Sequence, residues 1–237
     1  MIYVVSDIHG HLDKFKALLD MINFNDDDFM YILGDVLDRG NDPIGLLRFI
    51  MDKSNMELLM GNHENDAYII LSMLMMEIDS EDTVDKVLTD DFYENYNNWI
   101  NVNGGYVTMR QFKALSDRFV QNDIVDYLSD LRLYEALQIG DRLYILAHSF
   151  AYQHFDEDKE LDEYDMPDFL YEHVEYGKKY YSDDNIYIVT GHVPTLFINN
   201  EAKIYHHNNH IAIDCGAYME NGKLACLCLD NMQEFYI

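Results

Sequence analysis

Five apolar runs in this chain end in the same way. IYVVS (2–6) is followed by Asp7 and His9. YIL (31–33) is followed by Gly34, Asp35, Asp38 and Arg39. ELLM (57–60) runs into Gly61, Asn62 and His63, YILA (144–147) into His148, and IYIVT (186–190) into Gly191 and His192. Short runs rich in β-branched and aromatic residues and bounded by turn residues read as buried strands. Each of these strands therefore delivers polar groups at its C-terminal end, which is where open α/β sheets place their ligand sites. Gly34, Gly61 and Gly191 stand immediately before candidate site residues, where a strand must turn sharply and the backbone must come close to its neighbours.

Helical spacing fills the gaps between the first strands. HLDKFKALLDMINF carries Leu12, Phe15, Leu18, Leu19 and Ile22 on one side. NDPIGLLRFIMDK opens with Asp42 and Pro43, an N-cap followed by a proline at the first helical position. The alternation defines an α/β fold. The stretch from 66 to 135 reads as a helical insertion, made of NDAYIILSMLMMEI, the acidic and aromatic EDTVDKVLTDDFYENYNNWI, and DRFVQNDIVDYLSDLRL. EALQIG and RLYILAHS form a hairpin turning at Gly140 and Asp141. Residues 152–184 are acidic and Tyr-rich without a period, a candidate loop or cap over a site. NIYIVTGH, HIAIDCG, KLACLCL and EFYI read as short strands, and His206, His207 and His210 in YHHNNHI as a solvent loop. With no linker, repeat or low-complexity tract, residues 1–237 are expected to form one domain.

The residue types at the strand ends specify a chemistry. Asp7, His9, Asp35, Asn62, His148 and His192 form a set of oxygen and nitrogen donors without thiolate. That set suits Mn²⁺, Fe, Zn²⁺ or a mixed pair. It is too rich in imidazole for a Ca²⁺ or Mg²⁺ site. Six ligands exceed what one catalytic ion takes from protein, and they fit two ions sharing a carboxylate, a recurring device for phosphoester hydrolysis.

DIHGH (7–11), GDVLDRG (34–40), GNHE (61–64), AHS (147–149) and GHVPT (191–195) together resemble the calcineurin-type metallophosphoesterases, and more narrowly their phosphoprotein phosphatase branch. That branch includes bacterial and phage protein-serine/threonine phosphatases and diadenosine tetraphosphate hydrolases. WINVNGGYVT (99–108) resembles the W-x-x-x-N-G-G-x-x-T stretch of bacterial members, and IAIDCGAYMENGKLACLCLDN their C-terminal ending. The resemblance implies a β-sandwich of mixed sheets flanked by helices. It implies Asp7, His9 and Asp35 on a first metal and Asp35, Asn62, His148 and His192 on a second. His63 would protonate the leaving oxygen, Asp38 would orient and charge that imidazole, and Arg39 would grip phosphate oxygens, with His11 as a further substrate contact. Glu64 is read as support for the GNHE turn. Family members carry additional phosphate-binding arginines after the fourth motif. Here DFLYEHVEYGKKYY (168–181) has none, leaving His173, Lys178 or Lys179 to substitute. The implied function is metal-dependent hydrolysis of phosphate monoesters, most naturally phosphoserine or phosphothreonine in proteins. Hydrolysis of dinucleoside polyphosphates such as diadenosine tetraphosphate is the alternative. The implied cofactors are two divalent ions, manganese first, with iron or zinc as alternatives. A catalytically weak regulatory protein is a third reading, against which the retention of both His63 and Asp38 argues.

Composition removes several partners. The net charge is −28, from 16 Lys and Arg against 44 Asp and Glu. Such a surface repels nucleic acid and anionic membranes. It leaves a phosphate-bearing substrate open, because bound cations dominate a local field. Three cysteines, an odd and low number, argue against a disulfide framework, and Cys226 and Cys228 read as core residues on one strand face. No six-residue step from any cysteine reaches an arginine, since Asn221, Met232 and Glu234 stand there. That excludes a cysteine phosphatase, and the lack of a G-x-x-x-x-G-K-[ST] loop excludes an NTPase of that type. No apolar run approaches the roughly 20 residues that cross a bilayer. The N-terminus lacks a signal-peptide pattern, so a cytoplasmic location is expected.

Overall fold

Strand β1 (Ile2–Val5) shows how the chain is layered. Its side chains alternate, with Tyr3 and Val5 facing one core and Val4 another. The structure is a computed structural model, described over residues 1–76 and 89–237. The acidic start of EDTVDKVLTDDFYENYNNWI and the last residues of the NDAYIILSMLMMEI helix lie outside those residues.

β1 is the middle strand of a first sheet. It pairs in parallel with β2 (Phe29–Ile32), which pairs in parallel with β3 (Met56–Leu58). On its other side lie the antiparallel strands β9 (Ala225–Cys228) and β10 (Gln233–Tyr236), in the order β10-β9-β1-β2-β3. The second sheet has the order β4-β5-β6-β8-β7. β4 (Tyr134–Ile139) and β5 (Arg142–Ala147) form the expected hairpin, with Gly140 at φ +62° in its turn. β5, β6 (Ile186–Thr190) and β8 (His210–Ala212) are parallel, and β7 (Tyr205–His207) closes the edge antiparallel to β8.

Two sheets stack through Val4, Tyr31, Leu33, Tyr144, Leu146, Val189, Ile211 and Leu227. The outer face of the first sheet is covered by α1 (Leu12–Met21), α2 (Pro43–Met51), α3 (Asn62–Met75), α4 (Asp90–Asn101), α5 (Tyr106–Ala114) and α6 (Arg118–Ser129). Cys226 and Cys228 face this helical layer as buried core residues. Asp42 caps α2, accepting from the Gly45 amide at 3.1 Å. The second sheet's outer face is covered differently. Phe150, Tyr164, Phe169, Val174 and Tyr180 from and beside the 152–184 segment pack on Ile145, Ala147 and Ile188. That segment holds only a 3-10 turn (Leu161–Glu163) and the short helix α7 (Met166–Leu170).

One expectation is corrected. YHHNNHI is a β-hairpin, not a solvent loop. Asn208 and Asn209 both take left-handed φ (48° and 61°), the signature of a tight hairpin turn. His210 begins β8, an interior strand, and is fully buried against Thr190 and Tyr176. The polar composition of the stretch hid a position whose burial is set by sheet order.

Candidate active site

The parallel trios β1-β2-β3 and β5-β6-β8 each send their C-terminal ends to one rim of the sandwich. The loops there are locked together by backbone bonds: Asp7 N–H to Gly34 O (3.1 Å), His9 N–H to Asp35 O (2.9 Å) and Gly191 N–H to His148 O (3.0 Å). Asp7, His9, Asp35, Asp38, Arg39 and His192 all adopt left-handed backbone conformations, with φ between 45° and 70°. Gly191 permits the approach of the two sheets, since a Cβ there would collide with the Ser6 hydroxyl and the Asp7 carboxylate.

The two oxygens of Asp35 look in different directions. Oδ1 lies 3.5 Å from His148 Nε2, and Oδ2 lies 3.7 Å from both His9 Nε2 and His63 Nε2. On the Oδ1 side, His148 Nε2 stands 2.9 Å from Asn62 Oδ1 and 3.1 Å from His192 Nδ1. His148 donates its other ring N–H to Leu33 O at 2.8 Å, which fixes the ring with Nε2 turned toward the cluster. His9 does the same through Nδ1 to Leu37 O at 2.9 Å. A backbone carbonyl fixing one ring nitrogen while the other faces carboxylates is the arrangement of metal-ligating histidines. Acceptors that converge at these distances are satisfied by a cation between them. Asp7, Asp35 and His148 form one group able to hold an ion, and His9, Asp35 and His63 another. The donors therefore fit metal.

Electrostatics follow from burial. Desolvation pushes the Asp7 carboxyl up to about 6, against the opposing effect of His148. For Asp35 desolvation also works upward, but the surrounding His148, His63 and His9 outweigh it and hold the carboxyl well below the usual range. Burial and the neighbouring His63 hold His9 far below its ordinary value, and burial with His148 lowers His192 to about 3.

His63 differs. Burial acts to lower it, but Asp35 and the hydrogen bond to Asp38 prevail and raise it to about 9. Its Nδ1 donates to Asp38 Oδ2 at 2.6 Å, which leaves Nε2 turned to the site. Asp38 is fully buried and held from three sides. Trp99 Nε1–H donates to Oδ2 (2.8 Å), the Thr108 hydroxyl to Oδ1 (2.5 Å), and the Asp38 amide donates to the same hydroxyl (3.0 Å). The W-x-x-x-N-G-G-x-x-T stretch thus has a physical role. Gly104 O accepts from the Arg39 amide, and Gly105 lies so close under the Trp99 indole that a side chain would collide with it. Arg39 spreads over this half of the site, with Nη1 2.9 Å from His9 Nε2 and Nη2 3.1 Å from His63 Nε2. Its guanidinium lies 4.1 Å from the centre of the Tyr218 ring.

Glu64 supports the turn as expected. Its carboxylate accepts from the amides of Asp35 (2.6 Å), Val36 (2.9 Å), Leu37 (3.0 Å) and Gly61 (3.2 Å). One side chain from α3 thereby shapes the loop after β2. His11 stands half-buried at the start of α1, with no side-chain hydrogen bond to the cluster among the described residues. Lys178 lies over Phe155 and Tyr180, and Lys179 pairs with Asp184, both away from the donors. His173 is at the site, its ring centroid 5.3 Å from that of His192. Sequence reasoning assigned no role to Tyr218 or Asp214. Asp214 follows β8 at the same rim, and burial together with Asp7 pushes its carboxyl well above the usual range. The run IAIDCGA, another strand end with a carboxylate, carried that signal.

Two mixed sheets thus bring an acid-and-imidazole cluster around the Asp35 carboxylate to their common rim, a donor set able to hold metal ions. The chain belongs to the calcineurin-like phosphoesterase family, whose model matches residues 1–225. Among curated relatives, it is 38% identical over 88 residues to a symmetrical bis(5'-nucleosyl)-tetraphosphatase of Wigglesworthia glossinidia brevipalpis, covering 36% of this chain and 32% of that one. It is 32% identical over 101 residues to a protein of the same name from Actinobacillus pleuropneumoniae serotype 3 (strain JL03), covering 41% and 37%. The matches thus span about a third of those relatives' length. Among solved structures, the fold resembles a putative diadenosine tetraphosphatase (TM-score 0.64, 15% identity, 100% of this chain and 92% of that one). It also resembles a protein serine/threonine phosphatase from Saccharomyces cerevisiae (TM-score 0.57, 14% identity, 95% and 72%). Among the described residues, no helix is long and apolar enough to cross a membrane.

Proposed function

We propose that this protein hydrolyses phosphoric esters and anhydrides with two divalent cations, and that its substrates are dinucleoside polyphosphates of the diadenosine tetraphosphate kind. The observation that carries the reaction class is the division of Asp35, one oxygen toward His148, Asn62 and His192 and the other toward His9 and His63. Asp7, His9 and Asp35 would hold one ion, and Asp35, Asn62, His148 and His192 the other. Manganese is the expected metal, with iron or zinc as alternatives for this donor set. When bound, such a pair lowers the pKa of water and neutralises charge on phosphoryl oxygens.

The chain's own groups supply the rest. Arg39 aims a planar fork at phosphoryl oxygens. His63 carries a proton on Nε2 to the leaving oxygen, and Asp38, fixed by Trp99 and Thr108, holds the other nitrogen protonated and stabilises the imidazolium. Burial of the pair keeps water from competing for that proton. The names of the curated relatives weigh toward the dinucleoside polyphosphate among the two substrate classes inferred from sequence. The net charge of −28 favours the other, phosphoserine or phosphothreonine in proteins, because an acidic surface slows the approach of a tetraphosphate.

Chelator-stripped protein, reloaded with Mn²⁺, would be assayed on diadenosine tetraphosphate and on a phosphoserine peptide. Metal-dependent release of nucleoside diphosphates at the higher kcat/KM is the expected outcome. A faster peptide reaction would replace this substrate class with the second. Asp35→Asn should lose both metal and activity, and full metal content in that variant would count against the shared-carboxylate assignment.

A further inference from the structure

Positive charge is distributed unevenly around Asp35. Arg39 serves the His9 and His63 side, anchored on the Tyr218 ring. On the other side, where Asn62, His148 and His192 converge, no lysine or arginine among the described residues hydrogen-bonds to these three side chains. A phosphoryl group seated between the two halves presents oxygens beyond the reach of one guanidinium, and each needs a donor. The side chain standing against the second half is His173, whose ring meets that of His192 edge-on, with an interplanar angle of 65°. It is solvent-exposed, so the contact leaves imidazole N–H free to serve a ligand.

His173 lies in the irregular 152–184 segment, and its placement has a specific cause. Two residues earlier, the Tyr171 hydroxyl accepts from Asn65 Nδ2 at 2.9 Å and lies 3.1 Å from Asp66 Oδ1, to which it donates. Asp66 Oδ2 in turn accepts from Asn103 Nδ2 at 2.9 Å. Asn65 and Asp66 belong to the first turns of α3, the helix that opens with Asn62 and His63. One helix therefore presents two groups of the site and pins the segment carrying a third. Asn103 ties the same network to the stretch that holds Asp38.

We propose that His173 is a substrate-binding residue that donates to a phosphoryl oxygen on the Asn62–His148–His192 side, and that Tyr171 is a positioning residue that sets it through Asn65 and Asp66. This rests on the phosphohydrolase reading of the site. The ligand it recognises is a phosphoryl oxyanion.

The probe is orthophosphate, titrated calorimetrically into metal-loaded full-length protein, alongside KM and kcat for p-nitrophenyl phosphate. His173→Phe keeps a ring edge against His192 and removes the donor. It should weaken orthophosphate binding by about tenfold or more, the scale of one hydrogen bond to a charged group, and raise KM at unchanged metal content. His173→Arg should restore affinity. Tyr171→Phe should raise KM in the same direction by a smaller factor while leaving kcat in place. Wild-type orthophosphate affinity in His173→Phe would overturn the proposal, as would loss of metal in parallel with loss of phosphate. Because orthophosphate binding needs no turnover, a wild-type protein that binds it yet hydrolyses neither substrate would defeat the functional reading while this comparison still decided the role of His173.

Discussion

At the residue scale, the site is held in conformations that L-residues avoid. Six non-glycine residues, Asp7, His9, Asp35, Asp38, Arg39 and His192, have left-handed φ. Each costs on the order of 1 kcal/mol or more, and the cost is offset by bonds that fix these loops, chief among them the four amides gathered by Glu64. The donor residues were legible in the sequence because each follows an apolar strand and the alternation of buried strands is local. The supports of Asp38 were not. Trp99 and Thr108 lie 61 and 70 positions away, and no periodicity links them to a strand end. The resemblance singled out their segment, but only the fold shows that it clamps a carboxylate. His63→Asn keeps every donor carboxylate in place, so metal content should be retained. Turnover of substrates with poor leaving groups should fall by roughly a hundredfold or more, the usual contribution of a general acid. Steady-state rates on an alkyl and a nitrophenyl phosphate check this, and equal rates for variant and wild type on the alkyl ester would remove His63 from that role.

Among the elements, α2 was readable to its first residue. Asp42 and Pro43 mark its start, and the structure places the carboxylate on the Gly45 amide. Asp42→Ala should lower stability by about 1 kcal/mol, read as a shift in urea midpoint at constant slope, with no effect on metal content. β8 was readable in HIAIDCG, but β7 and the hairpin that joins it to β8 were not. YHHNNHI lacks the apolar alternation of a strand, and what buries His210 is its place between β6 and β7, a fact of sheet order that a local window does not contain. Residues 152–184 resisted for a related reason. Their aromatic side chains pack on the second sheet from an irregular backbone, so burial there has no period to detect.

The whole molecule couples folding to the charge state of its site. In metal-free protein, His63 is raised from 6.5 to about 9 by Asp35 and Asp38. A base raised in the folded state contributes stability that is fully present below its unfolded pKa and is lost as pH rises through the folded one. Chelator-treated protein should therefore lose stability between pH 6.5 and about 9, and His63→Asn should lack that limb. Urea denaturation across this range measures it, and parallel curves for the two proteins would contradict the shift. The two-sheet architecture was expected from the family resemblance alone: the apolar runs marked the strands, but how those strands divide into two sheets with separate cores is not a property of any single run. The clamp on Asp38 has one more consequence. The chain contains a single tryptophan, and its indole N–H is bonded to the same carboxylate oxygen as His63. All tryptophan emission from this protein originates two hydrogen bonds from the His63 ring, through one shared carboxylate oxygen, so the molecule carries its own optical gauge of that imidazole's proton, readable without a label.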